Sequence, residues 1–116
     1  DVDMEIINKV GLDHKQLVID HVDETILEYA INETDAFIGI GVGQTLRHTG
    51  PEFFVDVVER YGVERLMVNS DHVAYTSNDI LAIPKTIRLL RRQGFDDQTI
   101  DKAVYSNANQ FYNLNL

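Results

Sequence analysis

Two side-chain types able to bind a metal or move a proton fall where apolar runs end. His21 closes the run Leu17-Val18-Ile19-Asp20-His21-Val22, and Asp71 with His72 closes Arg65-Leu66-Met67-Val68-Asn69-Ser70-Asp71-His72. A third run, Ala36-Phe37-Ile38-Gly39-Ile40-Gly41-Val42, lies between them. An imidazole and a carboxylate together suit Zn²⁺, and carboxylates also suit the harder Mg²⁺ and Mn²⁺. A cation of that kind turns water into a nucleophile at neutral pH, with a bound-water pKa of about 7 on Zn²⁺. Asp71 would then take a proton from that water as a general base.

The chemistry needs a scaffold that brings the run ends together. Each run is nearly continuous in apolar residues and is followed by a helical pattern, as in parallel strands covered on both faces. Strands are expected at 17–22, 36–42 and 65–70. Short connections between such units favour right-handed crossovers, and functional groups in these folds sit at the carboxyl ends of the strands.

The helices have their own signals. Val2, Ile6, Ile7 and Val10 share one helical face before Gly11. Asp23 is placed to cap a helix over about 24–33, with Ile26, Leu27, Ala30 and Ile31 as its stripe. Pro51 opens a helix to Tyr61 that Gly62 ends, with Phe54, Val55 and Val58 inward. Ser77, Asn78 or Asp79 starts a helix to about Gln93, where Pro84 either kinks it or marks the first turn of its main part. Asp96 or Asp97 caps a last helical segment reaching Phe111 and Tyr112. No linker, low-complexity stretch or repeat interrupts the order, so residues 1–116 read as one unit.

Composition narrows the partners. The net charge is −9, with three Lys/Arg against ten Asp/Glu in residues 1–50 and seven against nine in residues 51–116. Such a field does not attract nucleic acid, although nucleic acid is not excluded as a substrate. Lys85, Arg88, Arg91 and Arg92 recur on one helical face, but without interleaved aromatics they read as a solvated side. There is no Cys, hence no disulfide framework and no thiolate metal site. No apolar run approaches the roughly 20 residues of a membrane span and none reads as a secretory signal, so a cytoplasmic location is expected. There is no phosphate-cradling Gly-rich loop and no Ser nucleophile elbow.

At Asp20-His21-Val22-Asp23, Phe37-Ile38-Gly39-Ile40-Gly41 and Asn69-Ser70-Asp71 the chain resembles the TatD-like metal-dependent hydrolases of the amidohydrolase superfamily. The resemblance is to the last three β-α units of an eight-stranded barrel. It implies an α/β fold of parallel β-α units, the C-terminal portion of a TIM (β/α)8 barrel. It implies that His21 is the metal-binding His of the sixth strand, and that Asp71 of the eighth binds metal and orients or deprotonates the attacking water. The tail Val104-Tyr105-Ser106-Asn107-Ala108-Asn109-Gln110-Phe111 resembles the family's closing helix, with an Asn followed by Phe four residues on. Ile83-Pro84-Lys85 resembles a related subgroup with a longer loop after the last strand. The family's His-x-His of the first strand, Glu of the fourth and His of the fifth have no counterpart here.

The resemblance therefore implies a divalent-metal-dependent hydrolase acting on a small-molecule, phosphoester or amide-type substrate, in which these residues supply the last strands. A closed barrel takes about 250 residues. The missing N-terminal half, or self-association, is expected to complete it. The competing reading is a non-catalytic barrel fragment or interaction module, and a small doubly wound domain is a third. On the plain reading, His21 and Asp71 merely satisfy backbone groups; strand-end placement together with the family order favours metal ligation for both. Arg47, His48 and His72 are candidate substrate contacts, the first two from the loop after the second strand. Asp20 is expected to point opposite to His21 by strand alternation, Asp23 to cap, His14 to be structural, and Asn69 and Ser70 to orient Asp71.

Overall fold

A computed structural model describes residues 2–44, 49–72 and 77–115. Its order is α1 (Val2–Val10), β1 (Val18–Ile19), α2 (Glu24–Asn32), β2 (Phe37–Gly41), α3 (Pro51–Tyr61), β3 (Leu66–Asn69), α4 (Ala82–Arg92), α5 (Asp97–Asp101) and α6 (Asn107–Tyr112). A 3₁₀ turn at His14–Gln16 leads into β1, and a π-helical turn at Lys102–Ser106 joins α5 to α6.

The strands form one parallel sheet in the order β1-β2-β3. Val18 pairs with Phe37 and Ile19 with Ile38; Ile38, Gly39, Ile40 and Gly41 pair with Leu66, Met67, Val68 and Asn69. Alternation then gives the sheet two unlike faces. Ile19, Ile38, Ile40, Leu66 and Val68 pack into a single apolar cluster with Leu27 and Ala30 of α2, Phe54 and Val58 of α3, and Leu90 of α4. The opposite face carries Phe37, Gly39, Gly41, Met67 and Asn69, and it leads to the functional residues.

Local chemistry explains the helix limits. The Asp23 carboxylate accepts from Thr25 N at 2.9 Å and satisfies a donor that the first turn of α2 leaves free. Pro51 begins α3, and Gly62 at φ 79° ends it where a side chain would be strained. The end of α2 is held by Arg65, which precedes β3. Its guanidinium donates to the carbonyls of Ile31 at 2.7 Å and of Thr34 and Ala36 at 2.8 Å. One side chain thus ties the orphan carbonyls of a helix end to the start of two strands.

α4 starts at Ala82, later than the 77–79 expected, because Asn78 bridges to Gln44 and Asp79 caps the intervening turn through Leu81 N at 3.0 Å. Pro84 lies in its first turn, where its missing N–H costs nothing, and α4 runs on to Arg92. The buried Asn107 donates to Val63 O at 2.7 Å and Leu66 O at 2.8 Å, tying α6 to the start of β3. Four residues on, Phe111 meets Phe37 edge to face with centroids 5.4 Å apart. The Asn and Phe of the tail motif therefore clasp two different strands.

Candidate metal centre

The site is built where β1 and β3 stop. Val22 N donates to Gly39 O at 3.0 Å, and Val42 N to Asn69 O at 2.9 Å, so the chain remains tied to its neighbour beyond the strand ends. His21 and Asp71 lie in these extensions, and both adopt the left-handed backbone region, at φ 59° and 51°. His and Asp enter that region more readily than most residues. The turn swings each side chain off its strand toward the other.

His21 Nδ1 lies 3.2 Å from Asp71 Oδ2 and 3.8 Å from Asp20 Oδ2. The three residues offer donor atoms all within 4.8 Å of one another. Asp71 is the buried member, with 8% of its side chain exposed against 46% for His21 and Asp20. Its Oδ2 is buried and makes no hydrogen bond among the described residues. Its neighbour is His21 Nδ1 at 3.2 Å, and a buried carboxylate oxygen that lacks a hydrogen bond calls for a shared proton or a cation between the two. Two ligand atoms each roughly 2.1 Å from one cation are about 3.0 to 3.4 Å apart at octahedral or tetrahedral angles. The His21–Asp71 separation falls in that range. The donor set therefore fits a divalent metal.

The glycines of β2 make room for this group. A Cβ on Gly41 would overlap the Asp71 carboxylate, and one on Gly39 would overlap Asp20 Oδ1. Asn69, opposite Gly41, donates from Nδ2 to Asp20 Oδ1 at 2.7 Å. Gln44 fixes the backbone of Asp71 by donating from Nε2 to its carbonyl at 3.0 Å.

No family model and no solved structure matches the chain. It is similar to an uncharacterized metal-dependent hydrolase of Methanocaldococcus jannaschii, with 25% identity over 111 residues. The match covers 96% of this chain and 42% of that protein, so the chain spans less than half the length of its relative.

The structure brings together His21 and Asp71, the two residues singled out as metal ligands. It also adds Asp20, which strand alternation put on the opposite side. β1 ends at Ile19, and the left-handed turn at His21 breaks the alternation, so the two neighbours share a side. The only sequence signal for Asp20 was its adjacency to His21.

His72 is exposed at the rim. Its Nε2 lies 2.9 Å from Asp79 O, and since a carbonyl only accepts, the proton sits on Nε2. Asp79 in turn pairs with Lys85 at 2.5 Å. Arg47 and His48 lie outside the described residues. His14 bonds Asn8 Oδ1 at 2.7 Å in the turn that leads into β1, before the sheet rather than at its carboxyl end. A cleft of 370 Å³ lined by Lys15, Phe37, Arg65 and Phe111 opens at the amino ends of the strands. The titratable cluster is at the other end, where parallel α/β folds place their chemistry. Among the described residues no helix is long and apolar enough to cross a membrane.

Proposed function

We propose that this chain forms part of a divalent-metal-dependent hydrolase of the TatD-like kind and supplies the last β-α units of its barrel. The observation that carries the reading is the buried Asp71 Oδ2, which makes no hydrogen bond among the described residues and faces His21 Nδ1 at 3.2 Å across the carboxyl ends of parallel strands. The similarity to a longer protein named as a metal-dependent hydrolase supports it. The parallel strand order β1-β2-β3 agrees with three consecutive β-α units of such a barrel.

His21 and Asp71 would hold the ion, with further ligands from barrel strands outside residues 1–116. A bound Zn²⁺, Mg²⁺ or Mn²⁺ supplies an acidified water and polarises the phosphoryl or carbonyl oxygen under attack. The residues of this chain do the rest. Asp71 accepts a proton from the attacking water, and its burial keeps bulk water from competing for the carboxylate. The left-handed turns and Gly41 set the direction in which Asp71 and His21 point. The substrate class is a phosphoester or amide-type bond in a small molecule.

The test is hydrolysis of a chromogenic phosphodiester and a chromogenic amide by the full-length protein, metal-depleted and reloaded. Activity on one of them should vanish with chelator, return with Mn²⁺ or Zn²⁺, and fall by at least about a hundredfold in Asp71→Asn. Equal rates with and without chelator, or in the variant, would refute the reading.

A second reading rests on a different surface. β1 pairs with β2 on one edge, and a 370 Å³ groove lined by Met4, Ile7, Val18, Ile26 and Tyr29 runs along its other side. Ile6 and Val10 are exposed at 56% and 70%. An open edge beside apolar surface invites a further strand or a second copy. In this reading the segment is an interaction module completed by a partner. Light scattering tests the second copy: a monomer at micromolar concentration excludes self-association and leaves a different partner chain as the occupant of this edge.

A further inference from the structure

We infer that Asn69 is a positioning residue that presents Asp20 as a third ligand beside His21 and Asp71, an inference that rests on the metal-binding reading of that pair. Asp20 follows β1, Asn69 ends β3, and β2 runs between them. Their side chains nonetheless meet, Nδ2 donating to Oδ1 at 2.7 Å. The bond passes over Gly39. A Cβ there would overlap Asp20 Oδ1 and stand 2.8 Å from Asn69 Nδ2. Gly39 of β2 and Asn69 at the end of β3 thus combine to fix the carboxylate of Asp20 just past β1.

The bond leaves Asp20 Oδ2 on the His21 side, 3.8 Å from Nδ1. Acidic neighbours alone would not make a ligand of it. The independent observation is Asp71, whose side chain is 8% exposed, whose buried Oδ2 makes no hydrogen bond among the described residues and faces His21 Nδ1 at 3.2 Å, and which belongs to the same group of donor atoms within 4.8 Å of one another. Asp20 Oδ2 and Asp71 Oδ2 thus both approach Nδ1 of one imidazole. Amide or carboxylate groups that bond the far side of a ligand set its orientation, and their loss commonly weakens metal binding by about ten- to a hundredfold. Two carboxylates and one imidazole also shift the donor set toward oxygen, which suits Mn²⁺ and Mg²⁺ more than an all-nitrogen set does.

A purely structural strap would behave differently. If Asn69 only tied two strand ends together, its loss would lower stability whether or not Asp20 could bind metal. The test is a double-mutant cycle on Mn²⁺ affinity, measured by isothermal titration of the full-length protein. The set comprises wild type, Asp20→Asn, Asn69→Leu, the double variant and His21→Ala, each checked for an unchanged far-ultraviolet spectrum. Asp20→Asn and Asn69→Leu should each weaken Mn²⁺ about ten- to a hundredfold. Asn69→Leu should add nothing once Asp20 is already Asn. Gly39→Ala gives the same loss by pushing Asp20 aside, should Asn69→Leu fold poorly.

Full wild-type affinity in Asp20→Asn, with His21→Ala impaired, would overturn this inference and leave the His21–Asp71 reading standing. Additive losses in the double variant would also overturn it. Full affinity in His21→Ala as well would bring down both.

Discussion

His21 and Asp71 end different strands in the same left-handed backbone conformation, and this sets Nδ1 3.2 Å from Oδ2. For an L residue other than glycine that conformation costs roughly 1 to 2 kcal/mol. Two such residues facing each other indicate a local strain that the surrounding hydrogen bonds maintain.

A comparison at position 21 reads that strain directly. His21→Gly and His21→Ala both remove the imidazole, but glycine adopts φ 59° freely. The Gly variant should be more stable than the Ala variant by about 1 kcal/mol, the reverse of the usual order in an extended or helical position. Urea denaturation of the two variants checks it, and equal or inverted stabilities would count against a strained turn.

Gly41→Ala should damage the site through shape alone. The added methyl would overlap the Asp71 carboxylate, which sits among buried atoms and has little room to retreat. The expected cost is about 1 to 3 kcal/mol of stability. Metal binding should be lost although no ligand is altered. A variant that binds metal as wild type would show that Asp71 does not occupy this cradle.

Arg65→Met tests the clamp between α2 and the sheet. Methionine keeps most of the stem but drops the three donors to Ile31 O, Thr34 O and Ala36 O. Losing charge-assisted bonds to these carbonyls should cost about 2 to 4 kcal/mol in a chemical melt. Arg65→Lys should recover only part of it, since an ammonium cannot span the three acceptors with a planar fork.

The β-α order was legible because each strand is an apolar run bounded by polar or glycine residues. Asp23, Pro51 and Gly62 marked helix limits because capping is a contact within one turn. The Asp20 placement was not legible: the period-2 rule holds for extended backbone, and β1 stops at Ile19. The Arg65 clamp spans 29 to 34 residues, and no local pattern announces it. The π-helical turn at Lys102–Ser106 likewise lacks a signal, since a continuous helix fits the same apolar spacing. His21 and Asp71 stood out because they close apolar runs, but their mutual distance depends on two backbone turns that residue type alone does not dictate.

Acid should loosen the segment that carries His72. The Asp79 carboxyl is held below the usual carboxylate range, chiefly by its bond to Lys85 and then by Leu81 N. A depressed folded-state pKa contributes stability above the unfolded value and loses it as the pH falls through the folded one. The destabilisation caused by Asp79→Asn should therefore be present near about pH 6 and fade toward about pH 3. Chemical melts of wild type and variant across that range would show it. A difference that stays constant with pH would contradict the assignment.

The measurement that goes straight to the central claim is the bound-metal content of the full-length protein. Wild type and the His21→Ala/Asp71→Ala double variant would be loaded with Mn²⁺ or Zn²⁺, desalted, and analysed for metal, with circular dichroism to confirm that both are folded. The account predicts that wild type retains metal and that the folded double variant retains little or none. Equal metal in the two proteins would contradict it.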